Sequence, residues 1–294
     1  MTADTLETYR HSGKFTLPGI LLPLVVCALV AFPAGLAYGY LIRWIPIVYL
    51  NILLTLGYGF AFGWLARKLL QRGKVRNTAL ATAIGVISGL FALYGEWSGH
   101  VHAVFDDAPW LLRPDEIFSA MAYLYENGSW TLGRGSSSSA VTGIVLALVW
   151  AVEALLIVGL AGFVAWNFSA ETPFCEKAGC WLDEKKHIDT LAPIAAEQLP
   201  ALKSGSLQPL LDTAPCAEGA DEFTRLTLKR APVEAAFCTL RVEAVTRSYD
   251  KEGKMQEKVQ SHTGDLILPA SMFDLIAQFE ELKPRPAPGP ASPA

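Results

Sequence analysis

Four stretches of the chain are almost free of charge. Residues 17–42 form a 26-residue run without Asp, Glu, Lys or Arg; residues 45–66 add 22 more and residues 77–95 another 19. Residues 140–168 are apolar apart from Glu153. An α-helix rises 1.5 Å per residue, so about 20 residues cross the roughly 30 Å of bilayer hydrocarbon. The pattern predicts four transmembrane helices over these ranges, preceded by an N-terminal tail at 1–16. The first run is longer than the ~7–15 residues of a signal-peptide core, and Arg43 and Trp44 follow it where a small-residue cleavage site would be needed. It is read as a span, with Pro18 at its start and Pro23 and Pro33 as kink points.

Beyond residue 168 the pattern changes. Short Pro-interrupted helical stretches are expected over 184–213, followed by three strands. Leu226 and Leu228 alternate with polar residues in 223–230. In 237–247, Cys238, Leu240, Val242 and Ala244 share one face and Thr239, Arg241 and Glu243 the other, as in a half-buried antiparallel strand. A turn ending at Gly253 leads to a return strand over 254–268. Ser271 then opens a final helix with Met272, Leu275, Ile276, Phe279 and Leu282 as its apolar stripe. The fold class is thus a polytopic α-helical membrane protein: a four-helix transmembrane bundle (17–168) followed by a small cytoplasmic α+β domain (169–282). That domain comprises a three-stranded antiparallel sheet and a C-terminal helix. The Pro-rich tail 283–294 reads as disordered.

The long connection 97–139 carries its own signal. Pro114, Asp115 and Glu116 suit a helix start, and Asn127-Gly128 a stop. Ile117, Phe118, Met121, Leu124 and Tyr125 form an apolar face between them. With Trp110, Leu111 and Trp130 this predicts a short helix on the membrane surface or capping the bundle. Gly133 to Ser139 reads as a flexible lead into the fourth span.

Composition agrees with a membrane chain. Of 294 residues, 52% are hydrophobic and 18% charged, against ~45–50% and ~25% in soluble domains. Orientation follows from Lys and Arg near the span ends. Ten cations (Arg10, Lys14, Arg67, Lys68, Arg72, Lys74, Arg76, Lys177, Lys185, Lys186) fall on one set of connections and three (Arg43, Arg113, Arg134) on the other. This predicts a plasma-membrane protein of the bacterial inner-membrane type with both termini cytoplasmic. Tyr40, Trp44, Tyr94 and Trp97 at the outer ends and Trp64 and Trp166 at the inner ends fit interfacial belts. Residues 167–294 carry the net negative charge of the chain, −4 overall, so nucleic acid is not an expected partner.

The spans contain glycines four apart: Gly35 and Gly39, Gly59 and Gly63, Gly85 and Gly89. Each pair lies on one helix face, where backbones approach closely. Such faces serve either helix packing within one bundle or homo-oligomerisation. Glu153 lies mid-span, where a charged carboxylate costs about 2.5–3.5 kcal/mol on insertion scales. It should therefore face the interior and carry a proton, with Asn51, Thr55 and Tyr58 as polar groups in reach. It is either a packing-specific hydrogen-bonding acid or part of a proton or cation relay.

Two clusters invite metal. Glu96, His100 and His102 stand near the outer surface with Asp106 and Asp107, although His100 and His102 would diverge on a continuing helix. Cys175 and Cys180 form a C-x4-C knuckle that Cys216 and Cys238 could complete. Plain thiols and interfacial polar residues are the simpler reading, which calls for no cofactor; zinc is the alternative. The chain has no phosphate-cradling glycine loop, H-E-x-x-H, G-x-S-x-G or kinase signature. The expected role is a non-enzymatic sensor, interaction or accessory protein with a cytoplasmic or membrane protein partner. The alternatives are a small transporter or channel subunit using Glu153, and a membrane enzyme using the outer Glu/His group.

Overall fold

The computed structural model describes residues 6–45, 47–105, 112–128, 131–132, 139–217, 219–231 and 236–278. Asp106, Asp107, Trp110, Leu111, Trp130, most of the Gly/Ser lead, Phe279, Leu282 and the Pro-rich tail lie outside them. The chain divides into two units, one of Ser12–Glu171 and one joining Met1–His11 to Thr172–Ala294.

The first unit holds α1 (Leu17–Trp44), α2 (Val48–Arg72), α3 (Thr78–Val104), α4 (Pro114–Asn127), a two-residue ladder of β1 (Thr131–Leu132) with β2 (Ser139–Ala140), and α5 (Gly143–Glu171). Helices α1, α2, α3 and α5 are long and apolar enough to cross a membrane. Local chemistry sets their starts. The Thr16 hydroxyl accepts from the Gly19 amide at 3.1 Å, and the Asn77 side chain accepts from Leu80 at 2.9 Å, each satisfying an orphan donor of the first turn. Helix α1 continues through Pro23 and Pro33.

Helix α3 departs from expectation. The uncharged run ends at Gly95, yet the helix continues to Val104 and takes Glu96, Trp97, Ser98 and Gly99 into the interior. The connection between α3 and α4 therefore begins after Val104, not at residue 97. Small residues explain it: Gly95 lies against the Ala31 carbonyl and Gly99 against Gly35 of α1, with no room for a Cβ at either. Such close approach lets the helix pair bury a polar side chain within its own contact. Helix α4 starts at Pro114 and stops at Gly128, whose φ of +83° favours glycine. Its Ile117 and Leu124 are buried against Trp97 and Val101, so it caps the bundle, while Phe118 and Tyr125 are exposed.

The second unit contains five paired strands where three are expected, beside a separate hairpin of β3 (Phe174–Cys175) and β4 (Cys180–Trp181). Strands β5 (Glu184–Leu191), β6 (Glu222–Arg230), β7 (Phe237–Tyr249) and β8 (Met255–Ser261) follow in antiparallel order, and β9 (Leu266–Pro269) also pairs with β7. Residues 184–191, expected to be helical, are a strand. Ile188 and Leu191 are three apart, as on a helix face, but a register shift between them lets both reach the core. The expected return strand breaks in two. Val242 donates its amide to the Thr263 hydroxyl at 3.1 Å, and the bend sets β8 and β9 against different parts of β7. The short helices α6 (Leu199–Lys203), α7 (Gln208–Asp212) and α8 (Met272–Ala277) cover one sheet face through Leu202, Leu210, Phe273 and Ile276.

The N-terminal segment belongs to this unit rather than forming a separate tail. Tyr9 donates its amide to the Asp265 carbonyl at 2.7 Å, and Ile267 donates to the Glu7 carbonyl at 2.8 Å, so residues 7–9 run along β9. Tyr9 also stacks on Phe237, and its hydroxyl accepts from the Phe174 amide at 2.9 Å.

Candidate functional site

A group of ionisable and polar side chains converges from four helices of the bundle. On α5, Glu153 accepts a hydrogen bond from the Tyr38 hydroxyl of α1. The same hydroxyl lies 2.7 Å from the Thr55 Oγ1 of α2. The Thr55 hydroxyl also donates to the Asn51 carbonyl one turn back on α2, at 3.0 Å. Tyr38 stacks on Tyr58 with ring centroids 4.7 Å apart, and Tyr58 donates to the Ala92 carbonyl of α3 at 3.0 Å. Tyr38, Thr55 and Tyr58 are buried. Of the groups expected near Glu153, Thr55 is in the network directly and Tyr58 through Tyr38. Asn51 is not hydrogen-bonded to it, and its buried Oδ1 has no partner.

Glu96 of α3 is 3% exposed, its Oε2 has no hydrogen-bond partner, and its backbone lies against Gly35 of α1, one turn before Tyr38. Among the described residues the bundle therefore holds one buried carboxyl, Glu96, beside the half-buried Glu153 that the sequence marks. His100, one turn further along α3, has a buried Nε2 that is also unpartnered. His102 points elsewhere, its ring edge-on to Tyr40 at 6.1 Å. The expected surface cluster of Glu96, His100 and His102 is thus corrected: Glu96 and His100 are interior, and His102 leaves their face.

The glycines set the distances between these groups. A Cβ on Gly35 or Gly39 would strike the backbone of Gly95 or Gly99, so α1 and α3 touch main chain to main chain. Gly59 lies against Ile157, Gly63 against Ala161 and Val164, Gly85 against Ala165, and Gly89 against Val158. All six glycines thus meet helices of the same chain.

The polar groups sit toward one end of the helices. At 1.5 Å per residue, Tyr38 is about 9 Å from the Trp44 end of α1 and Glu96 about 12 Å from the Val104 end of α3. Glu153 is about 15 Å from the Gly143 end of α5 but about 27 Å from Glu171. Toward the other end, Cys27, Ala81, Ile84, Ile157, Ala161 and Ala165 are buried. Ser88 there donates to its own helix at Ile84, 2.8 Å away.

The cysteines of the second unit do not gather. Cys175 and Cys180 are paired across the β3–β4 hairpin, which turns at Gly179 with φ +63°. Cys216 Sγ donates to the Asp189 carbonyl and Cys238 Sγ to the Pro269 carbonyl; burial pushes the Cys238 thiol up to about 11. Among the described residues no three His, Cys, Asp or Glu side chains are grouped to hold a metal ion.

The sheet face opposite the helices carries charge. Arg225 bridges Asp189 at 2.8 Å and Glu257 at 3.1 Å, and Arg247 reaches Glu257 at 3.0 Å. Lys229 and Arg241 both bond Asp265, at 3.0 and 2.8 Å, with Lys229 fully buried. A buried lysine requires such a partner.

Sequence reading missed Tyr38 and misplaced Glu96. Comparison of the chain with known protein families, characterised proteins and solved structures finds no match in any of the three.

Proposed function

We propose that this is a four-span plasma-membrane protein, of the bacterial inner-membrane type, acting as a non-enzymatic sensor or accessory protein. In this reading the α+β unit, together with both chain ends, lies in the cytoplasm and engages a protein partner. The N-terminal segment supports the topology: residues 7–9 pair with β9, which fits both ends lying on one side after an even number of crossings. The excess of Lys and Arg supports a cytoplasmic position for that side.

One observation carries the choice of sensor over conduit. Tyr38, Thr55, Glu96 and Glu153 cluster in the outer part of the bundle; the inner part is packed mainly by glycine, alanine and branched aliphatic residues, its buried Ser88 and Ser169 hydroxyls are bonded locally, and it holds no buried carboxyl among the described residues. A pathway needs polar groups through its whole depth; a receptor for an outer stimulus needs them at one level. Two experiments test the reading. Cross-linking in intact cells should capture a discrete partner that is lost when residues 172–294 are replaced by an unrelated soluble domain and insertion is preserved. Reconstituted vesicles should show no proton or alkali-ion flux. Flux abolished by Glu153→Gln would make the protein a transporter and overturn the proposal.

A further inference from the structure

We infer that Glu96 and Glu153 form a proton-binding site inside the bundle, loaded from the His100 end of α3. The inference deepens the sensor reading and rests on the four helices being embedded in lipid. Its geometry is that of a carboxyl pair with unequal surroundings. Glu153 accepts from Tyr38, which is in turn bonded to Thr55. Glu96 keeps an unpartnered oxygen in a side chain 3% exposed.

Neutrality decides the ligand. The groups bearing on the pair are Tyr38 from α1, bonded to Glu153, and Thr55 and Tyr58 from α2, which respectively bond to and stack on Tyr38; among the described residues no lysine or arginine is bonded to either carboxyl. On α4, Asp115 and Glu116 are held by Arg113 at the surface. Two carboxylates in one water-poor bundle cannot both stay charged without a counter-charge, so cations must enter with them. An alkali ion would need several convergent free oxygens. Here the Tyr38 and Thr55 oxygens are tied to Glu153 and to each other, and helix carbonyls are spent within the helices. A proton needs one oxygen, and Glu96 Oε2 supplies it. The pair then alternates between one and two bound protons, with no other bond made or broken. His100 Nε2, one turn nearer the end of α3 and itself unpartnered, stands on the entry side.

The test uses the full chain in lipid vesicles and dicyclohexylcarbodiimide, an apolar reagent that forms a stable adduct with protonated carboxyls in membranes. The adduct is located by peptide mass spectrometry. Labelling at Glu96 or Glu153 should fall about tenfold per pH unit above its midpoint and follow the pH on the His100 side alone. Sodium or potassium should not protect. Glu96→Gln should move the Glu153 midpoint down by about one pH unit or more, because its like-charged neighbour is gone. A change confined to stability would leave that midpoint in place. If the variant does not fold, the protonated-carboxyl infrared band of the unmodified protein must still titrate. Labelling independent of pH, protection by an alkali ion, or an infrared band that does not titrate would each overturn the proposal. Release of the protein by alkaline carbonate would instead refute the four-span reading, before any labelling is done.

Discussion

The Tyr38 hydroxyl of α1 donates to the Glu153 carboxylate of α5 across 115 positions of sequence. That bond ties the first helix of the bundle to the last, and Thr55 brings in a third. Tyr38→Phe removes the donor while keeping the ring stacked on Tyr58. A buried acceptor left unsatisfied costs about 1–3 kcal/mol, so the variant should unfold at a lower temperature in detergent. Adding Glu153→Leu should restore most of the loss, since both polar partners are then gone. An unchanged melting temperature for Tyr38→Phe would mean that the hydroxyl carries no stability.

Glycines in the bundle are not equivalent. Gly95 lies against the Ala31 carbonyl, whereas Gly159 has nothing within contact distance of a Cβ. Gly95→Leu should force α1 and α3 apart and cost at least about 1–3 kcal/mol. Gly159→Leu should stay within about 0.5 kcal/mol of the parent. Thermal unfolding with size-exclusion chromatography in detergent checks both, and equal behaviour of the two would refute the α1–α3 contact.

Residues 7–9 complete the edge of the sheet-rich unit. Deleting residues 2–9 removes the backbone bonds to Asp265 and Ile267 and the packing of Leu6 and Tyr9. The expected loss is about 2–4 kcal/mol. Hydrogen exchange reads it directly: the Ile267 amide, which donates to Glu7, should become fast. Protection retained at Ile267 would place the segment elsewhere. A fragment starting at residue 169 is accordingly an incomplete domain.

The charged sheet face gives a pH dependence. The hydrogen bond from Arg247, opposed by partial burial and reinforced by Arg225, holds the Glu257 carboxyl below its ordinary 4.5. A carboxyl depressed on folding contributes stability above its unfolded pKa and loses it as pH falls through the folded one. Glu257→Gln should therefore cost about 0.5–1 kcal/mol near neutral pH, with the difference from the parent shrinking below about pH 4. A difference that grows on acidification would contradict the sign.

Glu153 is legible in the sequence because a lone charge interrupts an apolar run. Tyr38 is not, because one aromatic among many in a span carries no mark of its partner. Glu96 looks interfacial for the opposite reason: the first charge after a run suggests the end of a helix, and only the glycine contact with α1 makes room for it inside. The strand at Glu184–Leu191 is hidden by its bulge, which gives Ile188 and Leu191 a helix-like spacing. The pairing of Glu7 with Ile267 leaves no local trace, since a three-residue edge segment has no period to read. Four long apolar helices and a mixed α+β unit follow from hydropathy and alternation; the polar network depends on contacts between distant segments.

The central claim is that the chain crosses the membrane four times and returns both ends to the cytoplasm. Alkaline phosphatase, active only outside the cytoplasm, can be fused after Arg72, Gly128 and Ala294 in turn. The account predicts activity for the Gly128 fusion alone. Activity after Ala294, or none after Gly128, would contradict it.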